Sequence, residues 1–191
     1  GVNPTKIEHT ANFLPRLSQM FAGWKKADPP TIKKLPVAID VPELVSKVGM
    51  AHNANELDKA IGDLVLIAFY YLLRVGEYTI KGHRNETKQM VQFRVADVTF
   101  FKRDPAGRLR QLSRSASDAD ILSADSATLK LDNQKNGWKG VCIHQEHNGD
   151  AAHCPVRALG WRYIHIRSNT PDSSTFLSAF FVNNARFDVT D

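Results

Sequence analysis

Asn55-Glu56-Leu57-Asp58-Lys59-Ala60-Ile61-Gly62-Asp63-Leu64-Val65-Leu66-Ile67-Ala68-Phe69-Tyr70-Tyr71-Leu72-Leu73-Arg74-Val75-Gly76-Glu77 is the stretch that decides the fold. Asn55 is a strong N-cap with Asp58 three residues on, and Leu57, Ala60, Ile61, Leu64, Val65, Ala68, Phe69, Leu72 and Leu73 recur at helical spacing. Apolar residues also spill onto the other faces, so the helix is expected to be central and largely buried. The apolar run over 64–73 is about half of what a bilayer demands and holds two tyrosines, which makes it a core helix rather than a membrane span. Polarity changes abruptly at Arg74, and Gly76 predicts that the helix ends or bends there.

Upstream, Phe13, Leu14, Leu17, Met20, Phe21 and Trp24 predict an amphipathic helix over 12–26, closed by Asp28-Pro29-Pro30. Residues 31–41 read as an extended linker, which sets a boundary near residue 32 and divides the chain into 1–32 and 33–191. Pro42 opens a short helix whose Leu44, Val45 and Val48 form one face before Gly49. Downstream, residues 92–101 alternate and are rich in Val and Phe, as a strand requires. Residues 102–114 set Lys102, Arg103, Arg108, Arg110 and Arg114 against the single acid Asp104 and read as a solvated loop, with phosphate contact as the second reading.

Two further strands, 127–131 and 141–143, flank Asn133-Gln134-Lys135-Asn136-Gly137-Trp138-Lys139, where Asn-Gly is a strong hairpin signal. Pro155 then suits the first turn of a helix running to about residue 167. The class expected is α+β, mostly helical, with a small sheet.

The chain has 191 residues, 42% of them hydrophobic, enough to bury roughly two thirds of its unfolded surface. A net charge of +5 and a pI near 9.3 favour a polyanionic partner without amounting to a basic tail. Two cysteines and an N-terminus without a basic-then-apolar signal pattern point to a reducing, intracellular setting.

Phe69-Tyr70-Tyr71-Leu72-Leu73-Arg74-Val75-Gly76-Glu77-Tyr78-Thr79 resembles the first motif of the tyrosine recombinase (phage integrase) family, an apolar helix followed by arginine, two residues and glutamate. A strand, a lysine-bearing hairpin and a helix opened by Cys154-Pro155-Val156-Arg157-Ala158-Leu159 follow in the family's order and spacing. Arg-Val-Gly-Glu-Tyr-Thr, Asn-Gly-Trp-Lys-Gly and His-Cys-Pro-Val-Arg-Ala-Leu look like the recombinase-type reading frames of eukaryotic mobile elements, and the resemblance covers roughly residues 30–180.

The resemblance implies DNA as partner, a nuclear location if the source is eukaryotic, and a metal-free, cofactor-free transesterification through a 3′-phosphotyrosine. Complete members act as oligomers on DNA; a fragment is free to be monomeric. Charge builds on the non-bridging phosphate oxygens, where a planar, permanently protonated, bidentate donor is wanted. Arg74 matches that role, Lys135 matches the hairpin lysine that protonates the leaving oxygen, with Lys139 as its competitor, and Glu77 would hold the Arg74 region.

The departures are as informative. No His-x-x-Arg occurs, and the last tyrosine, Tyr163, precedes the place where the nucleophile would fall. The expectation is a C-terminally truncated catalytic domain, preceded by the end of a DNA-clamping domain, that binds DNA weakly and does not itself cut it. Tyr70, Tyr71 and Tyr78 read as core residues rather than nucleophiles.

Cys142, His144, His147, His153 and Cys154 are zinc-ligand types, but adjacent His153 and Cys154 lack a chelating spacing, so ordinary loop residues and no metal are expected. A repurposed, non-catalytic DNA-binding or interaction module is the alternative function, and a zinc-stabilised helical domain a third.

Overall fold

The computed structural model describes residues 37–80, 92–131, 140–150 and 152–190. The chain divides into two compact units, Gly1–Val37 and Ala38–Asp191, so the second begins slightly later than the boundary expected near residue 32. The helix expected over 12–26 lies outside the described residues.

α1 spans Asp40–Gly49 and α2 spans Glu56–Tyr70. A reciprocal cap starts α2: the Asp58 N–H donates to Asn55 Oδ1 at 2.8 Å, and the Asn55 N–H to Asp58 Oδ2 at 3.4 Å. The two helices meet through small residues. A Cβ added to Gly49 would stand 2.8 Å from the Asp58 carbonyl oxygen and 3.2 Å from the Gly62 Cα. The buried face of α1 is therefore Pro42, Ser46 and Gly49, and the face of Leu44 and Val48 points outward, Leu44 being 65% exposed.

α2 ends earlier than its apolar pattern predicts. Tyr71 caps it, Leu72 takes a left-handed φ of 55° and is 87% exposed, and a single new turn, α3 (Val75–Tyr78), follows. Fully buried Tyr71 donates its hydroxyl to the Ala127 carbonyl at 3.2 Å, and this anchor ties the chain to the sheet where periodicity alone would carry the helix on.

The strand expected over 92–101 starts later and runs further. Val95–Asp97 is a 3₁₀ turn whose Asp97 carboxylate accepts from the Arg94 N–H at 2.8 Å, and β1 spans Val98–Arg103. The stretch read as a loop over 102–114 contains β2, Leu109–Gln111, paired to β1 across a turn in which Gly107 adopts φ 78°. α4 (Asp118–Leu122), capped by Ser117, leads to β3 (Ser126–Lys130) and β4 (Cys142–Glu146).

All pairings are antiparallel in the order β2-β1-β3-β4, with Val98 opposite Leu129 and Leu129 opposite Ile143. The expected β3–β4 pairing is present; residues 132–139 between its strands lie outside the described residues.

α5, Pro155–Asn169, starts with proline in its first turn and buries Val156, Leu159, Tyr163 and Ile166. Together with Leu64, Ile67 and Tyr71 of the α2 segment and Phe100 and Leu129 of the sheet, these side chains form the core. A hairpin that the sequence reading did not anticipate follows, β5 (Ala179–Val182) and β6 (Ala185–Asp188), turning on Asn183 and Asn184 at φ 50° and 64°. Among the described residues the architecture is thus α+β with five α-helices and small antiparallel sheets, and no helix is long and apolar enough to cross a membrane.

Candidate functional site

Arg74 occupies the N-cap of α3 with an extended backbone, so its side chain leaves the turn rather than lying along a helix. Its N–H donates to Glu77 Oε2 at 2.9 Å, and its guanidinium Nη1 stands 3.5 Å from Glu77 Oε1. The partners differ in exposure: the Arg74 side chain is 48% accessible and that of Glu77 is 5%. A buried carboxylate therefore fixes the turn and orients a cation whose remaining donors face solvent. The Glu77 carbonyl in turn accepts the Phe93 N–H at 3.0 Å, which ties the turn to the segment just ahead of β1.

Strand register sorts the other candidates. β1 begins at Val98 opposite Leu129, near the point where β3 runs out toward residues 132–139. The Arg74 turn is bonded to Phe93, five residues ahead of β1, and the residues just before it lie against β3 and β4, where the Tyr71 hydroxyl donates to the Ala127 carbonyl and Gln145 Nε2 donates to the Tyr70 carbonyl at 2.8 Å. Lys135 and Lys139 themselves lie outside the described residues.

The basic run sits at the opposite end, since Arg103 pairs with Leu109 beyond the Phe101–Ser126 pairing. Its charges are also partnered. Lys102 binds Asp120 at 3.1 Å, Arg103 faces Glu146 at 3.6 Å, and Arg108 and Arg110 share Asp104 at 3.3 and 2.9 Å. The Arg108 backbone N–H, and then burial-opposed contacts from Arg110, Ala106 and the Arg108 side chain, hold the Asp104 carboxyl below the usual range. Such surface pairs are worth about 0–1 kcal/mol each, weak enough to exchange for phosphate.

Arg94 is a cation that the sequence reading passed over as an interior strand residue. Its guanidinium lies 5.7 Å from the centroid of the Phe176 ring, and its Nε is buried without a hydrogen-bond partner. It adjoins Phe93 and therefore the Arg74 turn. The signal available was a lone charge inside the apolar pattern Phe93-Arg94-Val95.

Burial pushes the Tyr71 and Tyr78 hydroxyls above their ordinary value, and Tyr163 donates to the Arg114 carbonyl at 3.3 Å. The Cys/His set is dispersed. Cys142 is exposed and Cys154 buried, His144 tilts against Phe101 at 6.3 Å, and His147 Nδ1 accepts the Gly149 N–H at 3.0 Å. His153 lies between Asp150 at 2.8 Å and Glu43 at 3.2 Å, and chiefly its bond to Asp150 raises its pKa. Among the described residues no group of three His, Cys, Asp or Glu is placed to hold a metal ion.

Compared with family models, with curated proteins and with solved structures, the chain has no match.

Proposed function

We propose that the chain is a DNA-binding piece of a tyrosine-recombinase-like catalytic domain, in which Arg74 contacts a backbone phosphate and the β3–β4 hairpin delivers Lys135, or its neighbour Lys139, to the same phosphate. The observation that supports this reading most is the turn itself: an arginine whose side chain is half exposed, oriented by the buried carboxylate of Glu77. Arginine suits a phosphate because its fork matches two non-bridging oxygens at once. The partnered cations Lys102, Arg103, Arg108 and Arg110 would contribute a second, weaker contact further along a duplex.

Catalysis by these residues alone is not expected, because strand transfer needs a positioned nucleophile and a second arginine, and groups acting as a unit lose nearly all activity when one is missing. A denaturing gel of the chain incubated with nicked suicide duplexes is expected to show no protein–DNA adduct; one mapping to Tyr70, Tyr71, Tyr78 or Tyr163 would refute that assignment.

A non-catalytic interaction module is the second reading, favoured by the exposed apolar face of Val41, Leu44 and Val48 on α1. Anisotropy with unrelated duplexes separates the two. Phosphate-led binding loses at least tenfold between about 50 and 200 mM salt and tolerates sequence changes, as counterion release demands. Affinity that does not respond to salt, or no binding at low salt, would overturn the DNA reading.

A further inference from the structure

A cleft of about 550 Å³ lies against the first half of α2, away from the Arg74 end of that helix, lined by the C-terminal end of α1 and by one face of α5. Its volume is within the range of small-molecule sites, roughly 300–1,000 Å³. The end of α1 and the turn after it contribute only uncharged Gly49, Met50 and Ala51; α2 contributes Glu56, Lys59 and Asp63; α5 contributes Arg157, Trp161, Arg162 and His165.

The charges in it are unequally engaged. Glu56 is held by Lys59 at 2.7 Å and by His165 at 3.4 Å. Arg162 is fully buried and donates to the Leu177 and Ala179 carbonyls; among the described residues no carboxylate forms an ion pair with it, and Asp63, Glu56 and Asp188 offset its charge from further away. The Arg157 side chain has no hydrogen-bond or ion-pair partner among the described residues, and its Nε is buried. Arg157 as a whole is only partly buried, so the terminal N–H groups of its guanidinium, which no protein acceptor among the described residues engages, are open to an arriving phosphate.

Among the described residues Asp63 has no hydrogen bond or ion pair, and burial lifts its carboxyl to about 7 despite Arg162, so it carries less than a full negative charge at neutral pH and opposes an anion only in part. Trp161 is 46% exposed and sits one turn after Arg157 on the same face of α5, where it offers a flat apolar platform next to the unpartnered guanidinium. A cationic ligand would be repelled by Arg157 and Arg162; a bare anion would leave the ring unused.

We infer that this cleft binds a small organic phosphate with a planar body, of the nucleoside monophosphate class, with the phosphate on Arg157 and the planar group on Trp161. The inference is independent of the DNA reading, since salt-sensitive duplex binding can fail while this site holds, and the reverse.

The test is calorimetric titration of the full chain with adenosine 5′-monophosphate, adenosine and inorganic phosphate, with Arg157→Gln, Trp161→Leu and, as a nearby charge-loss control outside the cleft, Lys47→Gln. One monophosphate binds per chain, adenosine and phosphate each bind at least tenfold more weakly, Arg157→Gln loses at least tenfold, Trp161→Leu loses several-fold and Lys47→Gln changes nothing. In a Trp24→Phe, Trp138→Phe chain, which keeps Trp161 alone of the three tryptophans, the monophosphate also quenches fluorescence, a readout that survives if a cleft variant fails to fold. No binding, unchanged affinity in Arg157→Gln, an equal loss in Lys47→Gln, phosphate as tight as the monophosphate, or no quenching would overturn the inference.

Discussion

Replacing Asp63 by Asn is expected to stabilise the protein, and to do so only above acidic pH. Asp63 is half-buried by exposed surface, yet protein crowds its carboxyl closely enough that desolvation dominates and lifts its pKa from the ordinary 3.8 to about 7, with Arg162 opposing. The charged and titratable groups sharing its cleft are Glu56 and Lys59 on α2 and Arg157, Arg162 and His165 on α5, while Asp188 acts on it only through Arg162. Because the folded pKa lies above the unfolded one, the contribution of this carboxyl is fully present below 3.8, is lost as pH rises toward 7, and is constant beyond. The interval between 3.8 and about 7, at about 1.4 kcal/mol per pH unit, caps the loss at roughly 4 kcal/mol. Partial solvent access reduces it, so Asp63→Asn should gain about 1–3 kcal/mol at pH 8 and nothing near pH 4. Urea denaturation of both proteins at pH 4, 6 and 8 measures this directly. A variant less stable than the parent at pH 8, or two parallel pH profiles, would refute the reasoning.

Glu77→Ala removes the acceptor of the Arg74 N–H and is expected to cost about 2–3 kcal/mol, with Glu77→Gln, which keeps an acceptor, nearer 1; thermal melts in which both match the parent would contradict the role of the turn. Gly49→Ala drives a Cβ to 2.8 Å from the Asp58 carbonyl and should cost about 1–3 kcal/mol, whereas Gly62→Ala, whose nearest neighbours stand at 3.2 Å or more, should cost less; the two midpoints in urea decide it.

The sequence made long, periodic elements legible and left visible only in part those determined by tertiary contacts. The cap at Asn55, the proline opening α5 and the antiparallel β3–β4 pairing could be read from local chemistry because capping, first-turn proline and Asn-Gly turns act over a few residues. The end of α2 could not, because Leu72 enters a left-handed conformation where the Tyr71 hydroxyl is anchored to Ala127, a contact 56 residues away.

The outward face of α1 was hidden for a related reason: glycine pairing at Gly49 and Gly62 outweighs the pull of Leu44 and Val48 toward the core. β2 was masked by its charges, which pair around Asp104, and the Asn183-Asn184 hairpin lay beyond the stretch read for structure. Of the candidate site, Arg74 and Glu77 are named through the resemblance of Arg74-Val75-Gly76-Glu77 to a recombinase motif; spacing alone reads the arginine as a helix cap. That the basic run belongs to the other end of the sheet depended on strand register, which no local pattern encodes.

The most direct test of the DNA reading is a double-mutant cycle on duplex affinity with Arg74→Ala, Lys135→Ala and the pair. If both side chains reach one phosphate, each single change weakens binding about tenfold and lowers the salt slope by about one, and the pair costs less than the two together by a coupling of about 0.5–1.4 kcal/mol, at most one single loss. Additive losses with no coupling would place the two residues on separate phosphates, and undiminished binding by the double variant would contradict the account outright.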